Sequence, residues 1–149
     1  MFKEFKTFLK QNNIWHEFLE KENTATAKAA ADYVPIKRIA KSIVFQAGNE
    51  FILVVLPGSR KVSRKKLRPL IGEENIKLAS ADDVLRIIGF EIGAVPPIGH
   101  KDKIKCILDE RIASLSDVWA GGGAINRLVH LKVKDIIKFN NPIVADVSE

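Results

Sequence analysis

The chain has 149 residues, of which 46% are hydrophobic and 28% charged, with a formal net charge of +6. That balance fits one packed domain over residues 1–149 and excludes a disordered, fibrous or disulfide-stapled chain. A lone cysteine, Cys106, excludes an internal disulfide, CxxC redox chemistry and Cys-based zinc sites. No apolar run approaches the ~20 residues that span a bilayer, and MFKEFKTFLK is not signal-like, so a reduced, cytoplasmic protein away from membranes is expected.

Phe2, Phe5, Phe8 and Leu9 recur at helical spacing, which predicts an N-terminal helix ended by Asn12-Asn13. Ile14 to Phe18 reads as a short strand. In ENTATAKAAADYV, Thr24 or Thr26 caps an alanine-rich helix that Pro35 closes. Ser42 to Gln46 and Phe51 to Leu56 form a hairpin around Ala47-Gly48-Asn49-Glu50, punctuated by Pro57-Gly58. Ser63 caps a second helix over SRKKLRPLIG, and Ile76 to Leu78 reads as a strand. A Ser80/Asp83 pair and Gly89 bound a short helix. The stretch from Gly89 to Gly99, rich in glycine and proline, is a shaped loop. Ile104 to Leu108 and Val129 to Val133 read as strands, and Lys134 to Ile137 as a last helical turn. Helices and strands interleave without a strict βαβ repeat, so the fold class is α+β with a mixed sheet.

The charge is uneven. Between Tyr33 and Gly72 stand Lys37, Arg38, Lys41, Arg60, Lys61, Arg64, Lys65, Lys66 and Arg68 against one acid, Glu50. A field this concentrated draws in a polyanion, which makes a nucleic acid the expected partner; a solvated basic face is the plainer reading.

Three catalytic signatures are missing: the GxxxxGK[ST] phosphate loop, paired His/Cys spacing around His16, His100 or His130, and a GxSxG elbow. Neither metal nor cofactor is expected. Cys106, inside the apolar run Ile104 to Leu108, reads as a small core residue rather than a nucleophile. Lys41 opens an apolar strand, where a lysine either snorkels at the strand end or serves a ligand. In Gly93-Ala94-Val95-Pro96-Pro97-Ile98-Gly99-His100, prolines fix the backbone and glycines let a ligand approach it. A tight crossover loop would look the same. Gly121-Gly122-Gly123 is either a bulge between strands or a wall kept bare.

These segments, in order, carry a resemblance: TAKAA (Thr26 to Ala30), KSIVF (Lys41 to Phe45), LVVLPGSRKV, GFEIGAVPPIGH, and ILDE followed by VWAGGG. The chain resembles the YbaK / prolyl-tRNA synthetase-associated editing-domain family from about Thr24 to Val133. The resemblance implies a mixed, partly barrelled sheet flanked by helices. It also implies a trans-editing aminoacyl-tRNA deacylase that hydrolyses the ester of a mischarged tRNA, with Ala, Cys, Ser or Thr on tRNA(Pro) or a related tRNA. Lys41 would hold the phosphate of the terminal adenosine, and the GxxxP loop from Gly93 through Ala94, Val95 and Pro96 to Pro97 would grip the aminoacyl carbonyl or amino group. Thr26 and Ser42 would line the pocket opposite Gly121, Gly122 and Gly123, with Gly99 and His100 supporting the loop and His130 facing the substrate. Lys37, Arg38, Arg60, Lys61, Arg64, Lys65, Lys66 and Arg68 would rest the tRNA backbone, and a synthetase is a further expected partner. Three positions depart from the family pattern: Asp32-Tyr33-Val34-Pro35 replaces a glycine turn, Ile88 a threonine, and Pro96 a small polar residue. They surround the pocket and bear on substrate identity. A non-catalytic RNA-binding module of the same fold is the alternative reading.

Overall fold

The computed structural model describes residues 2–149, with side chains from Glu4 onward, so the inward face expected at Phe2 lies outside the described residues. In chain order the elements are α1 (Phe2–Gln11), β1 (His16–Glu20), α2 (Ala27–Ala30), a 3-10 turn (Ile36–Arg38), β2 (Ala40–Ala47), β3 (Glu50–Pro57), α3 (Arg64–Ile71), β4 (Ile76–Leu78), α4 (Ala81–Ile88), β5 (Lys105–Asp109), α5 (Glu110–Ala113), β6 (Asp117–Gly121), β7 (Arg127–Lys132), α6 (Val133–Asn140) and β8 (Ile143–Ala145).

The β2–β3 hairpin is the centre of the molecule. It pairs Ala40 with Pro57 through to Ala47 with Glu50 across a two-residue turn, where Gly48 takes φ +60°. Ile52 to Leu56 are all buried, so β3 is covered on both faces and reads as a continuous apolar run. Alternation sorts its side chains: Leu53 and Val55 join one core, and Ile52, Val54 and Leu56 join another beneath Leu67 of α3. The five-stranded sheet runs β4-β2-β3-β5-β8, with β5 parallel to both β3 and β8.

A second sheet, β1-β7-β6, is antiparallel throughout and sends Val118, Val129 and Leu131 into the larger core. There they meet Phe5 and Leu9 of α1, Val84 and Ile88 of α4, and Ile136 of α6. The two sheets touch through an Ile39–Trp119 bridge but do not close into a barrel, so the curved, partly barrelled sheet expected from the resemblance is two open sheets here.

Local chemistry explains where the elements start and stop. Ser63 and Ser80 hydroxyls accept from Lys66 N and Asp83 N, and Gly72 and Gly89 end those helices in the left-handed region. Two expectations shift. β1 starts at His16 rather than Ile14, because Asn13 turns at φ +52° and Ile14 is spent on the core. α6 runs eight residues rather than one turn, since Val133 and Ile136 bury along one side.

Candidate functional site

A cavity of about 420 Å³ opens between α2, the start of β2, the loop after α4, and the ends of β6 and β7. Much of its wall is methyl groups and main chain, from Ala25, Ala27, Ala30, Ala40, Ala120 and Gly93. Thr26 reaches it as the N-cap of α2, its hydroxyl accepting from Ala29 N at 3.1 Å. Gly58 underpins that helix: its N–H donates to Ile39 O at 2.8 Å, and an added Cβ would stand 2.6 Å from the Ala27 methyl.

Lys41 and Ser42 enter from the first residues of β2. Partial burial, and then the nearby Lys61 ammonium, hold the Lys41 amine below its ordinary value. Two cations that repel one another beside a cavity are a ready seat for an anion. The Ser42 hydroxyl is buried and has no protein hydrogen-bond partner among the described residues. A buried hydroxyl in that condition is an exception among native polar groups, and it lies beneath the cavity surface rather than on it.

Gly93 and Val95 present the loop main chain to the cavity, Gly93 at φ +90°. The loop is tied on every side. Ala94 N donates to Glu91 O, Gly123 N to Ala94 O, Asn140 Nδ2 to Pro97 O at 2.6 Å, and His100 Nε2 to Pro96 O at 2.6 Å. Gly121 lies directly under it, because a Cβ there would sit 2.5 Å from Val95 O.

Of the expected site residues, Thr26, Lys41, Ser42, Gly93, Val95 and Gly121 come together around the cavity. Pro96 and Pro97 are buried behind the loop, and Ala94 is buried with its carbonyl bonded to Gly123. Gly99 and His100 border a separate small cleft with Phe8 and Cys106, and burial keeps the His100 imidazole below its usual value. Gly122 is occupied by its bond to Arg127 O, while Gly123 packs on Phe5 and Phe90. His130 is elsewhere, two residues along β7 from Leu128, which does line the cavity. The reason is capture by acids on the neighbouring strands: Nε2 is 2.6 Å from Asp117 Oδ2 and Nδ1 is 3.3 Å from Glu17 Oε1. Lys28 and Ile92 also border the cavity, and only the packing of α2 and the loop reveals them.

The basic run divides. Arg38 bonds Asp117 at 2.8 Å, Arg60 the Glu149 carbonyl, Lys66 both Asp146 and the Ser148 carbonyl, and Arg68 the Glu74 carbonyl. Lys37, Lys61, Arg64 and Lys65 stay exposed on the surface. Cys106 is buried with its thiol pushed up to about 12, which leaves it protonated and unreactive at neutral pH. Among the described residues no cluster of acids, histidines and cysteine could hold a metal ion, and no helix is long and apolar enough to cross a membrane.

Fold and cavity thus define a mixed α/β domain with a cavity walled largely by main chain and alanines, with Lys28 and Lys41 in its lining. The model of the aminoacyl-tRNA editing domain matches residues 21–139, and the chain belongs to that family. It is 31% identical over 102 residues to proline–tRNA ligase of Thermosipho africanus and 30% identical over 107 residues to that of Staphylococcus aureus strain Newman. Those matches cover 67% and 70% of this chain but only 18% and 19% of the ligases, so the chain spans under a fifth of these relatives. A solved structure described as a candidate trans-editing enzyme for prolyl-tRNA synthetase superimposes with a TM-score of 0.88 at 28% identity, covering 99% of this chain and 96% of the other. A hypothetical protein of known structure does so with a TM-score of 0.88 at 26% identity over 98% and 99%.

Proposed function

We propose that the protein is an aminoacyl-tRNA deacylase that clears a small wrong amino acid, Ala, Cys, Ser or Thr, from tRNA(Pro) or a related tRNA. The observation that carries this is the alanine-lined cavity of about 420 Å³ with Lys41 at its edge and the tied Gly93–Val95 main chain across it. The family and the prolyl-tRNA ligase relatives support the substrate class. Lys41, with Lys61 nearby, binds the phosphate of the terminal nucleotide, and the aminoacyl group enters the cavity.

An aminoacyl ester is already activated, so positioning and charge stabilisation are enough. Water attacks the carbonyl carbon and the ester C–O bond breaks. The water's proton passes to the departing ribose oxygen, giving the free amino acid and the restored tRNA hydroxyl. The loop main chain orients the acyl group and faces the carbonyl oxygen as negative charge grows there. No covalent intermediate on Cys106 is needed.

The test is hydrolysis of tRNA(Pro) charged with Ala, Cys, Ser or Thr, with Lys41→Ala alongside. Hydrolysis of one of them, lost in Lys41→Ala, is the expected result. tRNA binding with no hydrolysis of any would replace the enzyme with a binding module. Full activity in Lys41→Ala would remove Lys41 from the machinery.

A further inference from the structure

The β1-β7-β6 sheet carries a second cavity, of about 640 Å³, on the side where His130 lies. One wall is aromatic. It is formed by Trp15 and His130, whose rings meet edge-on at 5.1 Å, while Trp119 backs the His130 ring from outside the lining at 4.3 Å and 15°. Trp15 is 42% exposed, which leaves much of a large aromatic surface open to solvent beside the cavity. The opposite wall is aliphatic, with Leu115 and the exposed Ile137, and the rim holds Lys132 and Lys134. The carboxylate in the wall, Asp117, is already held by Arg38 and His130. Glu17, exposed beside His130, adds a second carboxylate, and against these two acids stand Arg38, Lys132 and Lys134, so the charge around this opening is net positive. An exposed indole beside lysines recognises a flat ring joined to an anion, which is the chemistry of a nucleotide.

Strand register places this cavity relative to the first. Gly121 of β6 lines the alanine-walled cavity and Asp117, four residues earlier, lines this one, about 13 Å away along the strand. The 3-10 turn bearing the exposed Lys37 packs on β6 near Trp119, where Ile39 bridges to it.

Resting on the deacylase reading, we propose that this second cavity binds an unpaired nucleotide preceding the terminal adenosine in the same tRNA 3′ strand. The base stacks on Trp15, and Lys132 and Lys134 take its phosphate. Lys132 now sits with its ammonium 5.5 Å over the indole; an arriving base displaces it from the ring face toward the phosphate.

Binding of uncharged tRNA(Pro), and of the same tRNA lacking its unpaired 3′ nucleotides, tests this by titration at fixed salt. Trp15→Ala should weaken binding of intact tRNA by about 5- to 150-fold, the range for removing one base stack, and leave the truncated tRNA unaffected. Trp15→Phe should bind nearly as tightly as the wild type. Lys132→Ala/Lys134→Ala should lower the slope of log affinity against log salt by roughly 0.7 for each phosphate no longer neutralised. If Trp15→Ala does not fold, the lysine pair and Trp15→Phe carry the test alone.

Unchanged binding of intact tRNA by Trp15→Ala or by the lysine pair overturns the proposal, as does an equal loss on truncated tRNA. So does loss of prolyl-tRNA synthetase binding with tRNA binding intact, which would assign the cavity to a protein. Because uncharged tRNA is the probe, the loss of this subsite and the absence of deacylation are read in separate experiments, and failure of one is told apart from failure of the other.

Discussion

Gly121→Ala separates the architecture of the alanine-walled cavity from its chemistry. The new methyl carbon would stand 2.5 Å from Val95 O, 3.0 Å from Val95 C and 3.2 Å from Ala94 C. All three are main-chain atoms, so no rotamer change relieves the clash. The carbonyl oxygen must retreat by about 0.9 Å to reach ordinary contact. It cannot do so freely, because Gly123, Asn140 and His100 hold the loop through hydrogen bonds to the flanking carbonyls. Overpacking of this kind costs about 1–3 kcal/mol, or roughly 3–10 °C in Tm for a chain of this length. A displacement near 1 Å at a positioning loop also costs on the order of 100-fold in rate. Gly72→Ala is the control. Gly72 sits at φ +77° with nothing within 4 Å of a Cβ, so its replacement costs about 1 kcal/mol in backbone strain at the end of α3. Thermal unfolding by circular dichroism and deacylation kinetics on the same samples should show both variants less stable and only Gly121→Ala slow. Wild-type kinetics in Gly121→Ala would refute the claim that loop position sets the rate.

Three further outcomes are expected. Cys106→Ala should keep full deacylation, and native protein should resist iodoacetamide at pH 8 until denaturant exposes the thiol, since burial holds it at about 12; rapid native alkylation measured by mass spectrometry would contradict this. Neutralising Lys61, Arg64 and Lys65 should flatten the salt dependence of tRNA binding by roughly 0.7–0.9 for each phosphate they neutralise, with Tm little changed, whereas Lys66→Ala should chiefly lower Tm because Lys66 ties Asp146 and Ser148. The Asp146 carboxyl is held well below the usual carboxylate range by hydrogen bonds from Arg111 and then Lys66. Its contribution is therefore complete above the ordinary carboxylate pKa of about 4 and is lost as pH falls below it, so Asp146→Asn should flatten the acid limb of a Tm–pH profile.

Much of the fold was legible where local chemistry decides. Ser63, Ser80, Gly72 and Gly89 mark helix ends, and the apolar hairpin strands flank a turn that needs a positive φ at Gly48. The elements that escaped are those set by distant partners. β6 forms only because Trp119 and Val118 pair with His130 and Leu131, and β8 only by lying parallel to β5. α5 is four residues capped by Asp109, whose buried carboxylate also accepts from Val147 N, a contact across 38 positions. At the site, Thr26, Lys41, Ser42 and Gly93 were readable from motifs; Lys28, Ile92 and the alanines were not, since nothing in their local sequence tells which methyl faces a cavity. His130 was misplaced because the acids that fix it, Glu17 and Asp117, lie on two other strands. Their signal was alternation: Glu17 and Asp117 fall on the His130 face once β1, β7 and β6 are in register.

A wall of alanine methyls also limits how finely the protein can discriminate. Ala25, Ala27, Ala30, Ala40 and Ala120 exclude bulk, but they offer no charge and no hydrogen bond with which to tell a hydroxyl from a methyl. Such a sieve sorts by size, and against an isostere that differs by one polar atom its selectivity reaches only about 100-fold. Any finer choice between two small occupants must then come from the few polar side chains in the same lining, among them Thr26, Lys28 and Lys41, so those positions, and not the methyl wall, are where the selectivity of the cavity can be tuned.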